Sequence, residues 1–199
     1  MGGFPLRNLI PCPTAKPRKE RALAQSELSN LRHWRFSVDV EQIGWLILDV
    51  ADSPVNVLSR EVLTELDAVV THVEALVKDG AIAGVALLSG KPGFIAGADI
   101  SEFDAMSDPA VLPEALRFTH ALFQRIEDLT VPFVTGISGF CVGGGLELAL
   151  ACHYRIAVND GATKLGFPEV KLGIFPGFAG TGRSIRQAGP VDAMQLMLT

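Results

Sequence analysis

One stretch constrains this 199-residue chain more than any other: Gly139-Phe140-Cys141-Val142-Gly143-Gly144-Gly145-Leu146-Glu147-Leu148-Ala149-Leu150-Ala151-Cys152. An apolar extended run, Val131 to Ile137, leads into three consecutive glycines, and a helical pattern then starts with a carboxylate in its first turn. Glycines at such a junction allow tight or positive-φ turns and let another molecule approach the peptide groups. The first N–H groups of a helix lack intrahelical partners, and the macrodipole adds positive potential there. The stretch therefore reads as a strand-to-helix junction whose backbone donors can meet a developing negative charge.

The rest of the body alternates strand and helix signals. Residues 36–40 and 45–50 flank Gly44 and predict a hairpin, and Ser53-Pro54-Val55-Asn56 predicts a turn. Ser59 is placed to cap a helix in which Val62, Leu63, Leu66, Val69, Val70, Val73, Leu76 and Val77 recur at three- and four-residue steps. Asp79-Gly80 closes it, and Gly84–Ser89 reads as a short buried strand. After the loop Gly90–Ile100, a second helix is predicted from about Ala110 to Leu129, with Pro113 in its first turn, where a missing N–H does little harm. Beyond the glycine stretch follow a strand at 154–158, a loop through Lys164–Gly177 and two short helical patterns reaching Thr199. This order predicts an α/β fold.

Charge divides the chain. Up to about Arg35, seven basic residues face only Glu20 and Glu27, giving a net of about +5, although the whole chain carries −5. The body is thus strongly acidic, which argues against a nucleic-acid-binding role. Residues 1–35 hold Pro5, Pro11, Pro13 and Pro17 and lack the apolar core of a secretory signal, so they are expected to be a disordered extension, with organelle targeting the alternative. Residues 36–199 are the expected core. Cys12, Cys141 and Cys152 show no metal-ligand pairing; the latter two lie in apolar runs and read as buried, inert thiols in a reducing compartment. No apolar run approaches the roughly 18 residues of a membrane span.

The chemistry-bearing residues cluster in three places. Gly97-Ala98-Asp99 and Gly143-Gly144-Gly145 each follow an apolar strand and could each offer a free N–H. Two such donors on one oxygen form an oxyanion hole, whereas either loop alone could be a tight turn. The dinucleotide fingerprint fails, because Leu148 stands where its last glycine belongs, and there is no P-loop lysine. Glu147 and Glu169 sit among apolar neighbours, where desolvation raises a carboxylate's pKa and suits it to acid–base work. Singly each could be structural; as a pair, one could activate water while the other delivers a proton. His33, His72, His120 and His153 are scattered, and Lys91, Lys164, Lys171 and Arg183 could meet phosphates but read by default as solvated surface charge.

Three runs, Phe94–Ile100, Gly139–Cys152 and Gly166–Gly177, in this order and spacing, resemble the crotonase (enoyl-CoA hydratase/isomerase) family over about Phe36 to Thr199. The turn Ser53–Ser59 and the phrase Phe94–Met106 resemble the hydratase part of multifunctional fatty-acid-oxidation α-subunits, whose chains continue into a 3-hydroxyacyl-CoA dehydrogenase. The resemblance implies a crotonase spiral of ββα units, with further C-terminal helices beyond this chain. It implies an oxyanion hole from the N–H groups of Ala98 and Gly144, and a coenzyme A site around Ala96, Gly97, Asp99, Ile100 and Gly143. Glu147 would activate water and Glu169 would exchange a proton at C2, making a 3-hydroxyacyl-CoA from a 2-enoyl-CoA. Δ3–Δ2 isomerisation by Glu169 alone, another acyl-CoA reaction, or a binding module without turnover are the alternatives. No cofactor is implied beyond coenzyme A as part of the substrate. The implied partners are an acyl-CoA thioester and either copies of the chain, as a trimer, or a larger fatty-acid-oxidation complex; the implied location is cytoplasmic, with the mitochondrial matrix as alternative. Where the family often has two glycines before a threonine, the chain has Phe178-Ala179-Gly180-Thr181, and Gly182 and Ser184 flank Arg183 where larger or apolar residues are usual.

Overall fold

The computed structural model of the chain describes residues 28, 30–102 and 112–198. Cys12, Thr199, nearly all of the basic extension, the residues 103–106 of the α-subunit-like phrase and the expected start of the second helix at 110–111 lie outside the described residues.

Five strands form the main sheet in the order β1-β2-β3-β4-β6: β1 Trp34–Val38, β2 Ile43–Leu48, β3 Gly84–Ser89, β4 Phe133–Ile137 and β6 Tyr154–Ala157. Only β1 and β2 are antiparallel; the other pairs are parallel, joined by helical crossovers. A second, two-stranded parallel sheet pairs β5 (Phe140–Val142) with β7 (Lys164–Gly166). The helices are α1 Arg60–Lys78, α2 Leu112–Glu127, α3 Gly144–Ala151, α4 Gly180–Ala188 and α5 Pro190–Leu198.

The hairpin forms, but not around Gly44. Trp34 pairs with Leu48 and Val38 with Gly44, so the turn is Asp39–Gln42. The Asp39 carboxylate builds it, accepting from the N–H groups of Glu41 and Ile43, while Gln42 takes φ 64°. Gly44 belongs to β2 because a Cβ there would lie 2.6 Å from Ile82 and 2.9 Å from Phe36. The first strand also starts two residues earlier than Phe36, since Trp34 is buried and its indole N–H donates to the Val62 carbonyl of α1.

Helix α1 follows the sequence closely. Ser59 Oγ accepts from Val62 N–H at 3.2 Å, and Gly80 follows the C-terminus at φ 64°. Val62, Leu63, Leu66, Val69, Val70 and Val73 are buried, contributing on the order of 10 kcal/mol of gross hydrophobic stabilisation before ordering entropy is subtracted. Helix α2 buries Leu122, Phe123 and Ile126, and its Arg125 reaches Asp67 and Glu74 of α1, tying the two helices together. The strand expected at Val131 begins at Phe133, and the two short helical patterns form as α4 and α5. The loop after β3 thus packs on the start of α3, into which β5 leads through Gly143.

Candidate functional site

The loop after β3 is threaded between two others by backbone bonds. Ile95 N–H donates to the Phe140 carbonyl at 3.0 Å, and the Ile95 carbonyl accepts from Val142 N–H at 3.1 Å. Further on, Leu58 N–H donates to Gly97 O at 2.9 Å and Asp99 N–H to Leu58 O at 3.1 Å. In this parallel bridge the residues flanking Ala98 make the bonds, so its own N–H points the other way. Among the described residues the Ala98 N–H meets no protein acceptor.

The glycine junction supplies its neighbour. Strand β5 ends at Val142, Gly143 takes φ 54° and donates to the Gly166 carbonyl, and α3 starts at once. Gly144 is the first residue of that helix, so its N–H also finds no acceptor among the described residues. The two loops touch: a Cβ on Gly144 would stand 3.4 Å from the Ala98 nitrogen. A Cβ on Gly145 would lie 2.6 Å from the Ile95 carbonyl, so the close packing of α3 on the loop demands glycine there.

Both glutamates lie beside these donors. Glu147, one turn into α3, is only 1 % exposed. Its Oε1 accepts from the N–H groups of Phe178 and Gly180, each at 2.7 Å. Burial pushes its carboxyl up to about 7; those two N–H groups and Arg183 act downward and the Glu169 charge acts upward. Glu169, on a 3₁₀ turn spanning Pro168–Leu172, is also buried, and its Oε1 would stand 3.0 Å from a Cβ on Gly143. Burial raises its pKa, and its Oε2 is buried with no hydrogen-bond partner among the described residues. The arrangement offers two backbone donors for one oxyanion and two buried carboxyl groups whose pKa values burial raises, Glu147's to about 7.

The structure therefore brings Gly97, Ala98, Gly143, Gly144, Glu147 and Glu169 together. Ala96 is the exposed residue entering the group, its N–H fixed on the Asn56 carbonyl at 2.8 Å. Asp99 and Ile100 lead outward: the Asp99 carboxylate turns to Ser101, and Ile100 is exposed.

Three features escaped the sequence reading. Arg183 is not a solvated charge but is 3 % exposed, paired with Glu127 at 2.9 Å. Its single charge between two small residues gave no sign of that. Lys91, read the same way, is half-buried on Asp49 at 2.8 Å, whereas Lys164 and Lys171 are exposed. Asn56, read only as a turn residue, is buried and binds the Val50 N–H, the Leu48 and Phe94 carbonyls and Ser89 Oγ, clamping the ends of β2 and β3 to the loop. Turn-forming Asn is common, so composition alone could not have marked it.

A group of possible metal ligands, His33, Glu61 and Glu65, has other duties. Both Glu65 oxygens accept backbone N–H groups, from Arg32 and His33. His33 Nδ1 accepts from Ala51 N–H, so its proton sits on Nε2, facing Glu61 at 3.2 Å. Cys141 and Cys152 are buried, and burial pushes each thiol up to about 12.

Comparison with known proteins gives a consistent result. The family model described as enoyl-CoA hydratase/isomerase matches residues 47–199. The fatty acid oxidation complex subunit alpha of Shewanella sp. (strain ANA-3) is 42% identical over 158 residues, which is 79% of this chain and 22% of that protein. The protein of the same name from Aliivibrio fischeri is 40% identical over 173 residues, covering 86% and 25% respectively. Among solved structures, an enoyl-CoA hydratase from Bacillus anthracis matches with TM-score 0.70 and 31% identity, covering 81% of this chain and 61% of that one. Pseudomonas aeruginosa DspI matches with TM-score 0.75 and 27% identity, covering 85% and 66%. The chain thus spans about a quarter of the length of these curated relatives. Among the described residues, no helix is long and apolar enough to cross a membrane.

Proposed function

Because the chain belongs to the enoyl-CoA hydratase/isomerase family, we propose that it is an enzyme that adds water to a 2-enoyl-CoA thioester, giving a 3-hydroxyacyl-CoA. The observation carrying this reading is the meeting of two backbone N–H groups without an acceptor among the described residues, Ala98 and Gly144, with two buried carboxyl groups, Glu147 and Glu169.

The thioester oxygen would accept hydrogen bonds from Ala98 and Gly144, drawing electron density away from C3 of the conjugated system. Glu147, ionised, takes a proton from water as the water oxygen bonds to C3. The electrons collect on the thioester oxygen as an enolate, and Glu169, protonated, gives its proton to C2 as the carbonyl reforms. A proton passing from Glu147 to Glu169 resets the pair. One group must start ionised and the other protonated, and mutual repulsion between two buried carboxylates favours that state. Burial raises both pKa values, which supports the retention of a proton by the pair. Ala96, Gly97, Asp99, Ile100 and Gly143 would line the coenzyme A path, a role supported by the place of the first four along the loop after β3 and of Gly143 against Gly97, where a Cβ would lie 3.6 Å from the Gly97 Cα.

Δ3–Δ2 isomerisation is a second reading, favoured by Glu169 Oε2, which has no hydrogen-bond partner among the described residues and could shuttle a proton on one face of the acyl chain. Assembly into a trimer or a fatty-acid-oxidation complex, and a cytoplasmic location, belong to the same proposal; the relatives' name supports the complex and their bacterial sources support the location. The test is the decay of conjugated-thioester absorbance with crotonyl-CoA and a longer enoyl-CoA, in the wild type and in Glu147→Gln and Glu169→Gln. Hydration lost in both variants with the fold retained supports the pair; full activity in either refutes it. Tight thioester binding without turnover in the wild type would favour a binding module.

A further inference from the structure

The orientation of Glu147 is set from outside its own helix. Its Oε1 is gripped by N–H groups of the Phe178–Gly180 turn, and in that turn Ala179 takes φ 68°, left-handed backbone that an alanine does not adopt unaided. Something must impose the turn, and three side-chain contacts from α2 and α4 reach it among the described residues. His120 Nε2 meets the Gly177 carbonyl at 2.6 Å, the Phe123 ring meets the Phe178 ring edge to face, and Arg183 Nη1 donates to the Phe178 carbonyl at 3.0 Å. Arg183 differs from the other two in being a buried charge. Its Nε donates to Glu127 Oε2, and Arg186 occupies the other Glu127 oxygen at 2.9 Å, so α2 anchors the guanidinium of α4 from below the turn. A buried ion pair is a poor source of net stability compared with apolar packing, so its use here points to geometry.

We propose that Arg183, anchored by Glu127, is a positioning residue for hydration: by holding the Phe178 carbonyl it fixes the turn whose N–H groups bind Glu147 Oε1 and leave Oε2 to face the water. This rests on the reading of Glu147 as the water-activating carboxylate. The charged or titratable groups facing the Glu147 site are Glu169 on the 3₁₀ turn, Arg183 on α4, and His120 and Glu127 on α2 behind the turn.

The test compares wild type, Arg183→Met and Arg183→Lys by two measurements. One is steady-state hydration of a 2-enoyl-CoA; the other is a ¹³C-carboxyl NMR titration of Glu147, assigned with Glu147→Gln. A lysine can reach Glu127 or the Phe178 carbonyl but cannot span both as a guanidinium does. Arg183→Met should lower kcat about 10- to 100-fold with KM within about twofold, because the reacting groups are misplaced while the thioester still binds. The Glu147 titration should move to higher pH as the N–H donors and the cation are lost, with the acid limb of kcat/KM following it. Arg183→Lys should restore part of both. If Arg183→Met does not fold, Arg183→Met/Glu127→Leu removes both charges and serves the same readouts. A folded variant with unchanged Glu147 titration, or a loss confined to KM, overturns the proposal. If the wild type itself shows no hydration, the functional reading fails, and the NMR titration alone still decides whether Arg183 sets the state of Glu147.

Discussion

Replacing Glu147 by glutamine should make the chain's stability less dependent on pH, and the structure gives the size of the effect. The buried carboxyl is pushed up to about 7 from an ordinary value of 4.5. Between those limits the unfolded chain has released this proton and the folded chain has kept it. Stability contributed by the protonated carboxyl is therefore fully present below about pH 4.5 and is lost as pH rises through about 7. At 1.36 kcal/mol per pKa unit, keeping the ionised group buried above pH 7 costs about 3 kcal/mol, of which about 2–3 kcal/mol develops between pH 5 and pH 8. Glutamine keeps an oxygen for the Phe178 and Gly180 N–H groups and has no charge to desolvate. The assay is urea unfolding of both proteins at a series of pH values, taking the difference in unfolding free energy at each, so that other titrating groups cancel. The variant should gain on the wild type as pH rises, reaching the full gap near pH 8. A difference that stays flat across this range would refute the claim that burial governs this carboxyl, and a gap that widens toward low pH would reverse its sign.

Other positions give further tests. Phe178 places its ring 3.1 Å from where a Gly144 Cβ would be, walling the space beside the donor pair, so Phe178→Leu should raise the kcat/KM ratio of a long to a four-carbon enoyl-CoA about tenfold. Asn56→Ala leaves the Val50 N–H and the Phe94 carbonyl without their partner, while the Leu48 carbonyl keeps the Gly90 N–H, and should destabilise the fold by about 3 kcal/mol in denaturant unfolding. Gly145→Ala drives a methyl into the Ile95 carbonyl; activity should fall by at least about 100-fold in hydration assays while Gly182→Ala, with open space around it, changes nothing measurable.

The elements that the sequence made legible are those with long periodic patterns or a cap. Helix α1 carried both, and its buried face and Ser59 cap follow directly from them. The first-turn placement of Glu147 was legible because three glycines mark the start of α3 and apolar neighbours surround the acid. The small sheet was not: β5 and β7 have three residues each, too few to show alternation, and their pairing joins segments far apart in sequence. Gly44 misled because glycine suits both a turn and a crowded strand, and only the Ile82 and Phe36 side chains decide between them. The grip on Glu147 was invisible for a related reason. Its donors are backbone N–H groups, which every residue but proline carries, and the left-handed Ala179 that presents them has no sequence signature.

The central claim is that water's oxygen goes to C3 and a carboxyl proton to C2 of a bound enoyl thioester. It is tested most directly by letting the protein act on crotonyl-CoA in D₂O and reading the product by mass spectrometry and NMR. The expected product is 3-hydroxybutyryl-CoA carrying one deuterium at C2 and its new hydroxyl at C3, with none formed by Glu147→Gln. Release of free coenzyme A, a shifted double bond without hydration, or deuterated product from Glu147→Gln at the wild-type rate would contradict it.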